Sequence, residues 1–249
     1  MKAMILAAGL GTRLRPLTDD RPKALVEIAG RTLLEITLAR LRAFGICDVI
    51  INVHHFADMV VEYLKTNNNF GMRIAISREE VLLDTGGGLK KAAYFFGDDS
   101  SGRQEPFILH NVDVISTINL QRMLQFHAEN RALATLAVQD RETSRYLLFD
   151  KAGELCGRRS GREKTELVRS AEPLQALAFS GIHVISPRLF ALMSEEGGAF
   201  SIITSYLRLA ARGERILSFR TDEYYWRDLG KPENAVQAAE DLKQNVLLQ

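Results

Sequence analysis

Two glycines and a cluster of cations open the chain: Gly9, Gly11, Thr12, Arg13, Arg15, Arg21 and Lys23, with no acid before Asp19. They follow a short apolar run, Met4 to Ala8, which reads as a buried strand. A buried strand that opens into a small-residue, cationic loop suits a polyphosphate. Glycine lets backbone N–H groups approach phosphate oxygens and turn around them. Arginine grips two oxygens at once, and lysine adds a point charge. Two aspartates stand in similar surroundings much further on. Asp113 follows the apolar run 106–111 (PFILHN), and Asp228 follows Tyr225-Trp226-Arg227 and precedes Leu229-Gly230. A carboxylate directly after a buried strand is a metal-ligand position, and equally an ordinary cap or turn aspartate.

Two nucleotide motifs are excluded. The dinucleotide fingerprint needs a third glycine where Leu14 stands, and the G-x-x-x-x-G-K-[ST] loop is missing from this stretch. A second glycine-rich junction, Asp84-Thr85-Gly86-Gly87-Gly88, precedes Leu89-Lys90-Lys91. Three glycines at a helix N-terminus allow close backbone approach, and a flexible loop has the same composition. His54 and His55 raise the question of zinc. Adjacent histidines point in different directions and no other histidine lies near, so a strand end with Asn52 or His54 facing a crevice is the better reading. Ser180-Gly181 lies within an apolar run, and Gly181 suits either a ligand-facing backbone or a β-bulge.

Apolar patterning supplies the elements that position these residues. Strands are expected over 2–8, 48–53, 72–77, 106–111, 133–139, 176–185, 216–219 and 225–226. Helices are expected over 32–44, 57–65, 86–94, 119–129, 200–211 and 232–244, and a hairpin from Tyr146 turns at 151–153. Segment 158–172, dense in charge, reads as a surface loop. Strand–helix–strand units give a three-layer α/β/α, Rossmann-like fold around a mixed, mostly parallel sheet, with residues 1–249 as one domain. In such a sheet the ligand crevice lies beyond the carboxyl ends of the strands, where the glycine-rich loop, His54, the Asp84–Gly88 junction, Asp113 and Asp228 fall. Net charge is +1, so no basic field points to nucleic acid. No apolar run approaches the ~18 residues of a membrane span. Cys47 and Cys156 are too few and too far apart for a disulfide framework. These features suggest a cytoplasmic protein, as a monomer or small homo-oligomer.

In order, the chain carries GLGTRLRP…PKAL, IIN-x-H, DTGGGLKKA, NVD, FSGIHV, GAFSII and WRDLGKPE. This series resembles the sugar-1-phosphate nucleotidyltransferases over nearly the whole chain. It is most similar to the short, single-domain N-acetylmuramate-1-phosphate uridylyltransferases. The resemblance implies transfer of a nucleotidyl group from an NTP, UTP first, to a sugar 1-phosphate, with release of pyrophosphate. It implies catalytic roles for Arg13 and Lys23, and nucleotide binding by Leu6, Ala7, Ala8, Gly9, Gly11, Thr12, Asn52, Asp84, Thr85, Gly86 and Gly87. It also implies one Mg²⁺ shared by Asp113 and Asp228, and sugar-phosphate binding by Asn111, Ser180, Gly181 and Lys164. Two departures stand out. Val112 replaces the glycine usual before the first aspartate, placing a branched side chain where backbone would face the sugar. The E-K-P segment, whose lysine holds the sugar phosphate in many relatives, has no clear counterpart; Arg158, Arg162 and Lys164 lie in the corresponding charged stretch. The alternatives are GTP with mannose 1-phosphate, a CTP-dependent reaction, a non-catalytic nucleotide-sugar sensor, and an NAD-dependent oxidoreductase, which Leu14 disfavours.

Overall fold

In the computed structural model, which describes residues 1–97, 105–161 and 164–243, β1 (Lys2–Leu6) lies inside a ten-stranded sheet. The other strands are β2 (Glu27–Ile28), β3 (Arg31–Thr32), β4 (Asp48–Val53), β5 (Arg73–Arg78), β6 (Phe107–Asn111), β7 (Val114–Ser116), β8 (Ala134–Gln139), β9 (Arg145–Phe149), β10 (Leu155–Ser160), β11 (Lys164–Leu167), β12 (Gln175–Ile185), β13 (Ile216–Arg220) and β14 (Trp226–Asp228). The helices are α1 (Leu33–Ala43), α2 (Ala57–Thr66), α3 (Asp84–Lys91), α4 (Tyr94–Gly97), α5 (Leu120–Glu129), α6 (Leu189–Leu192), α7 (Ile202–Ala211) and α8 (Pro232–Lys243). The sheet order is β11-β10-β9-β12-β6-β1-β4-β5, and the pair β8–β13 joins it through β12. Strands β13, β8, β6, β1, β4, β5, β9 and β11 point one way, while β12 and β10 run against them.

Side chains on a strand alternate between faces, and here each face has its own core. Along β1, Ala3 and Ile5 join one apolar cluster and Met4 the other. Along β4, Val49 and Ile51 join the first cluster and Ile50 the second. Both faces are therefore buried, which is why these strands read as continuous apolar runs. Helix α1 begins where expected: Thr32 accepts a hydrogen bond from the Glu35 N–H at 3.0 Å, and Leu33, Leu34, Leu38 and Leu41 are buried. Gly45, at φ 74°, follows its end.

Three expectations need correction. Helix α3 runs from Asp84 to Lys91 and not over 86–94, so Gly86–Gly88 lie inside it and not at its N-terminus. Much of segment 158–172 is strand: β10 runs to Ser160 and pairs with β11, Arg158 facing Glu166 and Ser160 facing Lys164. All four β11 residues are exposed, and backbone bonds and the Arg158–Glu166 pair hold the strand without an apolar face. Arg162 lies outside the described residues. Strands β7 and β14, three residues each, pair only with one another. A periodicity signal cannot emerge from so few positions, and β14 extends through Asp228.

Three histidines are buried: His110, His127 and His183. Desolvation pushes His110 and His127 down to about 4 and His183 to about 3. In the unfolded chain each titrates near ~6.5. Above that pH neither state carries these protons. Below it, the unfolded chain takes up protons that the folded chain refuses, so stability falls until the folded values are reached. The melting temperature should decline as the pH drops from about 6.5 to about 4, and His127→Gln should make that decline shallower. His127 contacts the Thr135 hydroxyl at 3.0 Å, a partner glutamine can keep. Parallel pH profiles for the two proteins would show that His127 does not carry this linkage.

Candidate active site

The site begins at the carboxyl end of β1. Leu6 stands in register with Asn52 on β4 and with Asn111 on β6. The Ala7 N–H donates to Asn52 Oδ1 at 2.7 Å, which directs the chain into the loop. Gly11 has φ 67°, and a Cβ there would lie 2.9 Å from Thr18 Cγ2 and 3.3 Å from Lys23 Cβ. Only glycine satisfies both demands. The Thr18 hydroxyl donates to Gly11 O at 2.9 Å, and buried Leu14 anchors the turn Thr12–Leu14. Lys23 is buried, and its ammonium donates to Asp113 Oδ2. The Arg13 guanidinium lies against Gly230: a Cβ on Gly230 would be 2.7 Å from Arg13 Nη2 and 2.7 Å from Asp228 Oδ1.

The two aspartates meet through β7 and β14. Asp228 faces Val114, and the Leu229 N–H donates to Asp113 O at 2.8 Å. Asp228 Oδ1 also accepts from the Gly230 N–H at 2.6 Å. Each carboxylate is thus fixed through one oxygen and keeps a second. Among the described residues no group of three or more His, Cys, Asp or Glu gathers as a metal cage. Two carboxylates on a cleft lined by Lys23 and Arg13 fit Mg²⁺, which takes one or two carboxylates and completes its shell from other oxygen ligands, water included. His54 Nδ1 is engaged by Glu79 O at 2.8 Å.

The cleft has two lobes. The first, of about 410 Å³, is lined by Leu6–Gly9, Lys23, Asn52, Glu79, Asp84 and Thr85. The second, of about 610 Å³, is lined by Arg13, Arg141, Tyr146, Arg158, Arg159, Gly181, Trp226, Asp228 and Lys231. Asn111 and Asp113 line both and so mark their junction.

Several expected binding residues have other work. Asn52 lines the first lobe, but its amide donates to Glu79 Oε1 at 2.7 Å while its oxygen takes the Ala7 N–H. Gly86 and Gly87 do not line the lobe. Their N–H groups reach Phe200 O at 2.8 and 3.3 Å, and a Cβ would meet the Phe200 ring at 2.4 Å or Gly198 O at 2.5 Å. Their small size serves packing against segment 198–200, which leaves Asp84 and Thr85 as the exposed face of this motif. Ser180 is fully buried, and its carbonyl accepts from Trp226 Nε1 at 2.7 Å. Gly181, at φ 76°, sits where the β12–β8 register shifts, so it is a bulge glycine and also a wall of the second lobe. Lys164 is exposed on edge strand β11 and does not line that lobe. Val112 joins the core, 4% exposed, and lines the first lobe but not the second.

Sequence reasoning missed Glu79, Arg141, Trp226 and Gly230. Glu79 is 5% exposed and ties Asn52 to the Leu83 N–H, bonded at 2.9 Å. Trp226 and Gly230 flank Asp228 in WRDLG, a signal available in the sequence. Arg141, in a run of charged and polar residues, gave none.

The chain as a whole is similar to known proteins. The nucleotidyl transferase family profile matches residues 2–245. The N-acetylmuramate alpha-1-phosphate uridylyltransferase of Caulobacter vibrioides is 35% identical, over 95% of this chain and 94% of its own. A mannose-1-phosphate guanyltransferase of Yarrowia lipolytica is 32% identical over 94% of this chain and 62% of its own length. Among solved structures, HddC from Yersinia pseudotuberculosis complexed with GMP-PN superposes with a TM-score of 0.76 at 21% identity, over 97% of this chain and 99% of that one. A UDP-glucose pyrophosphorylase complexed with UDP-glucose gives a TM-score of 0.78 at 18% identity, covering 98% of each chain. The chain belongs to the nucleotidyl transferase family, as an enzyme of sugar-1-phosphate nucleotidyl transfer.

Proposed function

We propose that the enzyme uses UTP and that its acceptor is N-acetylmuramate α-1-phosphate or a close analogue, with the products leaving as UDP-sugar and pyrophosphate. The observation that carries this reading is the shared wall: Asn111 and Asp113 line both lobes, so two substrates bound side by side would meet there. The nucleoside fits the first lobe, against Leu6–Ala8, Asp84 and Thr85. The triphosphate would run along Gly9, Gly11 and Thr12 toward Arg13, and the acceptor would fill the second lobe. UTP and this acceptor are favoured because the Caulobacter relative, named for both, matches the chain end to end.

The acceptor phosphate oxygen is already an anion, so the reaction needs no Ser, Cys or His nucleophile. That oxygen forms a bond to the α-phosphorus of the nucleotide as the bond to the bridging oxygen of the leaving pyrophosphate breaks. Catalysis is then positioning and charge stabilisation. Lys23 places its ammonium at the junction and holds Asp113 in place. Arg13 meets the charge that develops on the pyrophosphate. When bound at Asp113 and Asp228, Mg²⁺ supplies Lewis-acid charge to phosphate oxygens.

Pyrophosphate release across ATP, CTP, GTP and UTP, each with N-acetylmuramate, mannose and glucose 1-phosphates, tests the assignment. The highest kcat/KM is expected for UTP with N-acetylmuramate 1-phosphate. A maximum for GTP with mannose 1-phosphate would reassign the specificity, and no release from any pair would refute the reading.

A further inference from the structure

The second lobe holds a cation that no ion pair accounts for. Arg141 follows β8 and lines this lobe with Asp113 and Asp228. Its guanidinium lies over the Trp226 ring, 3.8 Å from the centroid. Its Nη2 donates to Phe179 O at 2.8 Å, while its Nε is buried with no hydrogen-bond partner. Of the other cations on this lobe, Arg159 lies over the Tyr146 ring at 4.8 Å, Arg13 reaches Gly230, and two are paired. Arg158 is paired with Glu166 at 2.7 Å and Lys231 with Glu233 at 3.9 Å. Among the described residues no carboxylate lies within ion-pair distance of Arg141, and Asp228 attracts it only from further away.

The guanidinium is half-buried and bonded at Nη2 alone among the described residues, so a ligand in the lobe can complete its bonding through the remaining terminal N–H groups. The stack fixes the guanidinium plane in advance. Trp226 is itself fixed through Ser180 O, which removes ordering cost from binding. A planar, oriented fork with free donors matches two oxygens of a phosphate.

We propose that Arg141, stacked on Trp226, binds the phosphate of the acceptor sugar 1-phosphate. This rests on the reading of the second lobe as the acceptor site. Arg13 reaches this lobe from the loop whose Gly9 and Lys23 line the first lobe, whereas Arg141 is held by Phe179 and Trp226, which line only the second, so its ligand is the acceptor phosphate.

Trp226 is the sole tryptophan, so its emission reports on this contact directly. The apo enzyme is titrated with N-acetylmuramate α-1-phosphate and, separately, with the same sugar lacking phosphate. The phosphorylated sugar should change Trp226 emission saturably. Arg141→Ala should raise its Kd and the acceptor KM by about 10- to 100-fold, the scale of a charge-assisted bond, and leave the UTP KM within about twofold. Arg141→Lys should recover part of the loss. Arg141→Gln removes the charge and shortens the side chain while keeping a polar amide, so it serves as a second variant should the alanine variant fail to fold. The glutamine variant should lose acceptor affinity and keep its response to the unphosphorylated sugar. If the wild type turns over and Arg141→Gln keeps acceptor Kd and KM within about twofold, Arg141 does not bind the phosphate, and the lobe assignment survives. If the wild type releases no pyrophosphate from any pair and no sugar phosphate alters the emission, the lobe assignment fails and takes this inference with it.

Discussion

Arg13→Ala is expected to lower kcat by about 10²–10³, the scale of removing one preorganised charge stabiliser. The argument starts from the loop. Gly11, closed by Thr18 and backed by Lys23, sets the path of the turn, and buried Leu14 anchors it. Arg13, between these fixed points, is exposed and reaches the edge of Gly230 beside Asp228. A cation placed there lies beside the charge that moves onto the leaving pyrophosphate. Arg13→Lys should recover only part of the rate, because a point charge cannot grip two oxygens. Arg15 is the internal control. It is exposed and its guanidinium lies 3.3 Å from Asp19, so Arg15→Ala should change kcat by less than about threefold, in keeping with a surface pair. Melting temperatures of both variants should match the wild type, since neither side chain packs in the core. Near wild-type turnover in Arg13→Ala would show that the loop does not hold the phosphates as described.

How much of this was legible in the sequence depended on whether a residue's role is local. β1, its loop and β4 were readable because apolar runs bounded by glycine define them, and the loop's cations are contiguous. The glycines of α3 were readable as positions that exclude a side chain. What excludes it, Phe200 and Gly198, lies more than a hundred residues downstream, so packing looked like ligand binding. Lys164 lies in a charged stretch without alternation, which gives no hint of the β10–β11 pairing that carries it to an edge. Arg141 could not be found at all. It sits in a polar connection, and its burial comes from Trp226, an aromatic ring supplied by a distant strand.

Asp113 and Asp228 were each legible as strand-end carboxylates, but their meeting depends on the short pairing of β7 with β14. Two readings separate sharply here. If both hold one Mg²⁺ at the lobe junction, either Asp→Asn change should lower kcat by about 10³ or more, and the double variant should be little worse than the weaker single one, because residues acting as a unit are strongly non-additive. Asp113→Asn should also lower the melting temperature, since it leaves the nearly buried Lys23 ammonium facing a neutral amide. Asp228→Asn should cost less stability, because an amide oxygen still accepts the Gly230 N–H. If instead the aspartates are independent turn residues, each contributes about 1 kcal/mol, stability losses add, and turnover survives. The direct test is pyrophosphate release from UTP and N-acetylmuramate 1-phosphate, measured across a Mg²⁺ titration for the wild type, both single variants and the double variant. The shared site predicts that EDTA silences the wild type, that Mg²⁺ restores it, and that the double variant tracks the singles; turnover that ignores EDTA, or losses that multiply from single to double, would contradict it.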